Sequence, residues 1–473
     1  MKRFRKARIL AVVLALSMVV TMLGGCSSGK SDSSGDGTVS FTMDGLPSAE
    51  KTEELANYEA RQKDFKEKTG CEFERVDFKY DYQTVSAMIE GGNLPTTFTV
   101  ANTEPQVLIS NGWCRDITDL IKETGWDKEW KDDLLDLVSD KDGHIYGIPN
   151  STYALSIVCN KKIFEEAGLV NDDGSIKYPT TWDEVIEDSR IITEKTDAKG
   201  FSFTICDNQG GWNFSNVAWN YGADLCTMND DGSFTANLNS PEVVEAAKVY
   251  ATLQKEGLLY GDFSVDTRDA CYTNVASGLA AMCFGATDSP LALTRDDGID
   301  MPIEDLALIP VPAGPEGDYW LMGGSCQWFS PDATDDQIKA YLEYRKLYDS
   351  TPDISDSQRD ALEETAKLDT EDYGGVYVSA YMNIYKSGSY YDAVKEVVEK
   401  YRNFDWDDYP TFAYTESHPG HAEEEGMCQQ MYAFLTSALQ QVMVDPDGDI
   451  QAVFDKAQQD YQAVLDTAFD VQK

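Results

Sequence analysis

Histidine is nearly absent from this 473-residue chain: His144, His418 and His421 are the only three. No H-E-x-x-H pattern occurs. The span His418-Pro-Gly-His421 followed by Glu423, Glu424 and Glu425 lacks helical or finger spacing, so it reads as a solvated acidic loop and not as a metal centre. The one G-x-S-x-G match, GCSSG at residues 25–29, follows the apolar run with no strand before it and no helix after it, so it is not the nucleophile elbow of a serine hydrolase. Basic residues are scarce, 39 Lys and Arg against 83 Asp and Glu, giving a formal charge of −44. Such a chain is repelled by nucleic acid and by anionic lipid surfaces. The ten cysteines contain no C-x-x-C pair, and their long, irregular spacings suit scattered buried thiols better than a disulfide framework. The acidic stretch DPDGDI places Gly448 fourth and Lys456 twelfth, where a calcium loop needs Gly sixth and Glu twelfth, so a turn into the last helix is expected.

Long apolar runs are also missing. ILAVVLALSMVVTML has 15 residues and ends at Leu23, short of the roughly 20 needed to span a bilayer. It follows MKRFRKAR, whose Lys2, Arg3, Arg5, Lys6 and Arg8 have no acidic counterpart. A charged segment and a short apolar core make a secretory leader over residues 1–25. Its loss would make the remaining chain five charges more negative. Residues 24–31, GGCSSGKS, satisfy the spacing of a phosphate-binding loop. No strand precedes them, and the Ser/Gly/Asp tract that follows is a flexible tether instead of a helix, so the match is a coincidence. The same stretch, Leu23-Gly24-Gly25-Cys26, resembles the lipobox of bacterial lipoproteins. That resemblance implies a lipid on Cys26, a tether over 26–37 and a protein anchored on the extracellular face of the membrane.

About 440 remaining residues, 42% of the whole chain being hydrophobic, are enough for two or three domain-sized units. TVSFTMDG alternates as a first strand, ELANYEARQKDFKEKTG has helical spacing closed by Gly70, and CEFERVDF alternates again. The order continues through YQTVSAMIEGG, FTVAN and QVLISNGW. Strand and helix in alternation predict an α/β fold with a parallel sheet. The last hundred residues read as helices, in YYDAVKEVVEKYRN, MCQQMYAFLTSALQQVM and IQAVFDKAQQDYQAVLDTAF.

The segment DGHIYGIPNSTYALSIVCNKKIFEEAGL followed by YPTTWDEVIE resembles the signature of the family 1 extracellular solute-binding proteins, relatives of maltose-binding protein that serve ATP-driven sugar importers. NGWCRDITDLI, SGLAAMCFG, PVPAGPEG and GGSCQWFS follow the family's order from about residue 40 to 345. Leu279 stands where many members have Lys, and Thr96-Thr97 replaces an acidic residue. The resemblance implies a two-lobed, type II periplasmic-binding-protein clamshell with a mostly parallel sheet in each lobe. It places lobe 1 at 38–149 and 323–377, lobe 2 at 150–322 and 378–473, and chain crossings near Pro149-Asn150, Gly323-Gly324 and residue 378. It further implies a monomer without cofactor or metal that carries a carbohydrate, most naturally an oligosaccharide, to permease subunits of an ABC importer.

A sugar needs polar side chains for its hydroxyls and aromatic faces for its ring. In the first lobe the candidates are Asp44 after the first strand, and Asn102 with Glu104 after FTVA. Each can equally serve a turn or a helix cap. Tyr153 follows the first crossing and can equally be a packed aromatic. In DNQGGWNFSNVAWNYGAD, Trp212 follows two glycines and is the expected stacking platform, while Phe214, Trp219 and Tyr221 suit the core. Thr287, Asp288, Ser325 and Tyr381 complete the set. A surface glycan sensor or adhesin of the same fold fits the same sequence, and a surface-anchored glycoside hydrolase with paired carboxylates is the enzymatic alternative.

Overall fold

In the computed structural model, residues 38–229 and 231–469 are described. The expected leader, the tether and Cys26 lie outside the described residues. Among the described residues eleven strands run in chain order: β1 Ser40–Met43, β2 Glu72–Arg75, β3 Thr97–Ala101, β4 Gly147–Asn160, β5 Lys199–Ser202, β6 Cys226–Met228, β7 Phe234–Ala236, β8 Ala280–Ala286, β9 Leu306–Pro310, β10 Trp320–Phe329 and β11 Gly420–His421. The main sheet has the order β2-β1-β3-β10-β4-β8-β5, with β9 also paired to β4 and β11 to β10. β6 and β7 form a separate hairpin.

The helices at the front of the chain fall where their apolar spacing put them. Thr52–Thr69 ends on Gly70 at φ 74°, a left-handed conformation that glycine adopts without steric cost. Other helices start on side-chain caps: Thr181, Ser240 and Thr267 each accept a backbone N–H of the first turn. The three late helices also form, as Ser389–Lys400, Cys428–Val444 and Ile450–Ala468, and Asp449 caps the last of them.

Parallel pairing is found at the two ends of the sheet and where the short β11 joins β10. β1 pairs parallel to β2 and β3, and β5 parallel to β8. The long strands β4 and β10 are antiparallel to each other and to their other main-sheet neighbours. Length explains this: β4 has 14 residues, pairs with β10 up to Ala154 and with β8 and β9 from Leu155 onward. One strand therefore serves both halves of the sheet, and the register of β10 against it shifts between Ser325 and Cys326.

This junction needs glycine. A Cβ on Gly323 would lie 2.2 Å from the Tyr153 ring, and one on Gly324, at φ 146°, would lie 2.2 Å from the Ser151 carbonyl oxygen.

Two hydrophobic cores flank the sheet. One gathers Phe41, Phe65, Phe73, Tyr341 and Tyr344, with Phe73 and Tyr344 rings 4.9 Å apart. The other gathers Trp182, Phe201, Phe203, Phe214 and Tyr250, with Phe203 stacked on Tyr250 at 4.4 Å. Residue 378 marks no clean change of core. Val378, Met382, Ile384 and Tyr385 pack in the first, and Ile384 accepts from the Lys131 N–H. The second core receives the chain from Met427 on. Nine cysteines in the described residues are free thiols, seven of them buried.

Candidate functional site

A cavity of about 200 Å³ opens where the halves of the sheet meet. β3 and the turn after it supply Ala101 and Thr103, β4 supplies Tyr153, and β10 supplies Gly324. From the other side come Asn208, Trp212 and Asn213 of the helix Gln209–Asn220 and its approach, Arg268 and Tyr272 of the helix Arg268–Ala276, Asp288, Glu423, and Gln429 and Tyr432 of the helix Cys428–Val444. Gln429 Nε2 donates to Thr103 Oγ1 at 3.3 Å and joins the two walls.

The wall around Trp212 is built by helix packing. Gly210 and Gly211 let the helix Gln209–Asn220 approach the helix Cys428–Val444 so closely that a Cβ on Gly211 would lie 2.2 Å from the Tyr432 carbonyl oxygen. The Gly211 N–H donates to Thr436 Oγ1 at 2.8 Å. At this approach Trp212 Nε1 and the Tyr432 hydroxyl both donate to Glu423 Oε1, each at 2.9 Å. Tyr153 meets Trp212 edge-to-face with centroids 6.2 Å apart.

Of the nine candidates, Tyr153, Trp212 and Asp288 line this cavity. Glu104 is buried just behind it, 5% exposed, and accepts from the Tyr80 hydroxyl at 3.5 Å. Thr287 borders a second cavity of about 410 Å³ that shares Tyr153 and Asp288 with the first. Its hydroxyl accepts the Ala154 N–H at 3.1 Å.

The other four are engaged elsewhere. Asp44 accepts the Thr99 N–H at 3.1 Å and braces β1 against β3. Asn102 is buried, with Oδ1 3.4 Å from the Cys326 thiol and its N–H on Gly324 O. Ser325 meets Ser151 hydroxyl to hydroxyl at 3.1 Å across the strand junction. Tyr381 packs against Trp406 and Phe412 in the first core.

The expectation for Glu423–Glu425 is corrected. Glu423 and Glu424 are buried, 7% and 8% exposed, because indole N–H donors take the place of water. Trp219 Nε1 reaches Glu424 Oε1 at 2.8 Å, and His421 stacks on Trp219 at 3.8 Å. Phe214 and Trp219 are core residues as expected. Arg268, Gln429 and Tyr432 had no motif to mark them, although Gln429 and Tyr432 lie three apart and so share a helix face.

Burial dominates the electrostatics. It pushes Glu423 up to about 7 against the hydrogen bonds from Tyr432 and Trp212. It pushes Glu104 up to about 7 as well, with the Glu423 charge adding to the effect. Glu424 rises to about 8 for the same first reason. Asp288 is open to solvent, yet the cleft walls crowd its carboxylate and raise it too. Tyr153 is pushed to about 12 by burial, then by Glu423 and Asp288.

These glutamates give a pH dependence of definite sign. Between the ordinary carboxylate value of 4.5 and about 8 the folded protein holds protons that the unfolded chain has released. Stability contributed by these groups is therefore present at the acid end of that window and lost as pH rises through it. The melting temperature of the ligand-free protein is expected to fall across the window, and Glu424→Gln to flatten the slope. A rising melting temperature would contradict the burial of these side chains.

The geometry matches known proteins. Among curated proteins, the diacetylchitobiose binding protein DasA of Streptomyces coelicolor is 26% identical over 259 residues, which is 53% of this chain and 56% of that protein. The aligned region thus spans little more than half of that relative. The solute-binding protein of Thermotoga lettingae solved with alpha-D-tagatose superposes with a TM-score of 0.62 at 19% identity, covering 90% of this chain and 99% of the other. The GacH receptor of Streptomyces glaucescens, solved unliganded and with acarbose, gives 0.59 at 16% identity, covering 90% and 98%. These structures share the two-lobed type II binding-protein fold. The family model described as bacterial extracellular solute-binding protein matches residues 48–344, and with the cleft between two halves of one sheet it assigns the chain: it belongs to the bacterial extracellular solute-binding proteins.

Proposed function

We propose that this chain is the membrane-tethered binding subunit of an ABC importer, capturing a carbohydrate between its lobes and delivering it intact to permease subunits. The observation that carries this reading is the cleft cavity, where the rings of Tyr153 and Trp212 stand beside amides, carboxylates and a guanidinium. An aromatic ring suits the apolar face of a pyranose, and the polar groups suit its hydroxyls. The adjoining cavity, reached past the shared Tyr153 and Asp288, favours an oligosaccharide over a single sugar. In this reading the lobes are 38–149 with 323–377 and 150–322 with 378–473, and the stretch near Ile384 straps back onto the first lobe. Closure around ligand follows from tighter binding to the closed state.

Thermal unfolding against a panel of mono- and oligosaccharides, polyols and peptides tests the ligand class. Ligand at 100 times its dissociation constant adds about 2.7 kcal/mol. A shift confined to saccharides, with the ligand recovered uncleaved, is expected. A shift with peptides alone, or released reducing ends, would overturn the reading.

The anchor is tested separately. Cys26→Ser is expected to move the protein from the membrane fraction to the medium, and retention on membranes would remove the lipid from the proposal.

A further inference from the structure

We infer that the ligand carries a protonated amine, so that the saccharide selected by this cleft is an amino sugar with its amino group free; the inference rests on the carbohydrate reading above. The first observation is an imbalance of charge. Glu423 and Asp288 stand on the cavity wall and Arg268 is its one cation. Arg268 is bonded to Asp269 at 3.1 Å, has its guanidinium over the Tyr272 ring at 5.7 Å and also attracts Asp288, so the wall carboxylate left without a cation is Glu423.

The Glu423 charge acts on Glu104. Beyond burial, the groups that act most on them are neutral hydrogen-bond donors and other carboxylates. The groups acting on Glu423 are Tyr432 and Trp212, and those on Glu104 are Tyr80, Glu423, Thr103 and Asp81. Two buried carboxylates without a cation are an unfavourable arrangement, which an incoming cation relieves and a neutral sugar does not.

The second observation is independent of charge. Asn213, 3% exposed, lies on the same wall, and its Oδ1 receives no hydrogen bond. A buried carbonyl oxygen without a donor is rare and costly unless a ligand supplies one. An ammonium has three N–H donors. Glu423 on the cavity wall is an acceptor for one of them, Asn213 Oδ1 becomes a second once its amide turns toward the cavity, and the electron-rich faces of Trp212 and Tyr153 attract the cation itself. An N-acetylated sugar brings one N–H and no charge, and a hydroxyl brings one donor and no charge.

Calorimetric titration of the full chain near neutral pH tests this with three disaccharides of one linkage: β-1,4-linked glucosamine, its di-N-acetylated form and cellobiose. The glucosamine disaccharide is expected to bind at least about tenfold more tightly than the other two. Glu423→Gln keeps the shape of the side chain, and is expected to cut that ratio to below about threefold. Asp288→Asn, on the solvent side of the wall, gives a smaller loss of the same ratio and stands in if Glu423→Gln fails to fold. Equal affinities, or preference for the acetylated or neutral disaccharide, would overturn the inference and leave the carbohydrate reading in place. No binding of any saccharide in the panel would overturn both.

Discussion

Trp212→Ala is expected to weaken saccharide binding by roughly 30- to 1,000-fold, the equivalent of about 2–4 kcal/mol for a buried aromatic anchor at a binding site. Two losses combine. The ring that faces the cavity beside Tyr153 disappears, and Glu423 Oε1 keeps only the Tyr432 hydroxyl as donor. Trp212→Phe separates them, since it retains a ring and removes the indole N–H. Its expected affinity lies between wild type and Trp212→Ala. The same titrations that test ligand class measure this, and unchanged affinity in Trp212→Ala would place the ligand elsewhere.

Gly211→Ala is expected to lower stability by about 2 kcal/mol or more, because overpacking against immovable atoms exceeds the gain from a better helix former. The atoms in the way are the backbone of Tyr432, with the carbonyl oxygen at 2.2 Å and Cα at 2.5 Å from the added methyl. Neither can rotate aside as a side-chain tip would. The two helices must separate, which stretches the Gly211 to Thr436 hydrogen bond of 2.8 Å and moves Tyr432 away from Glu423. A melting temperature several degrees lower, together with weaker binding, is the expected result. A stable variant with normal affinity would mean that the helices do not approach this closely.

Local pattern carried the sequence reading a long way. The strand SFTM, the helix closing on Gly70 and the late helices were legible because period and capping are properties of neighbours in the chain. Trp212 was legible through the two glycines before it, and Tyr153 and Asp288 through the family's motifs. What escaped was decided by distant partners. Asp44 accepts from Thr99, 55 positions on, and Ser325 meets Ser151, 174 positions back, contacts that no neighbouring residue announces. The run Glu423-Glu424-Glu425 looked solvated because three acids in a row usually are. Trp212 and Trp219, more than two hundred residues earlier in the chain, supply the donors that bury the first two. No local rule connects those positions.

The placement of Tyr153 in β4 has a mechanical consequence. β4 is continuous through both halves of the sheet, and the Tyr153 ring projects from it one residue before Ala154, where the strand exchanges β10 for β8 and β9. Gly323 lies directly under that ring and Gly324 under Ser151. A load applied to the ring is therefore applied to the crossing itself, through covalent bonds and without an intervening loop. On the proposed reading, the part that would feel the cargo and the pivot are the same piece of chain, a trigger mounted on its own axle.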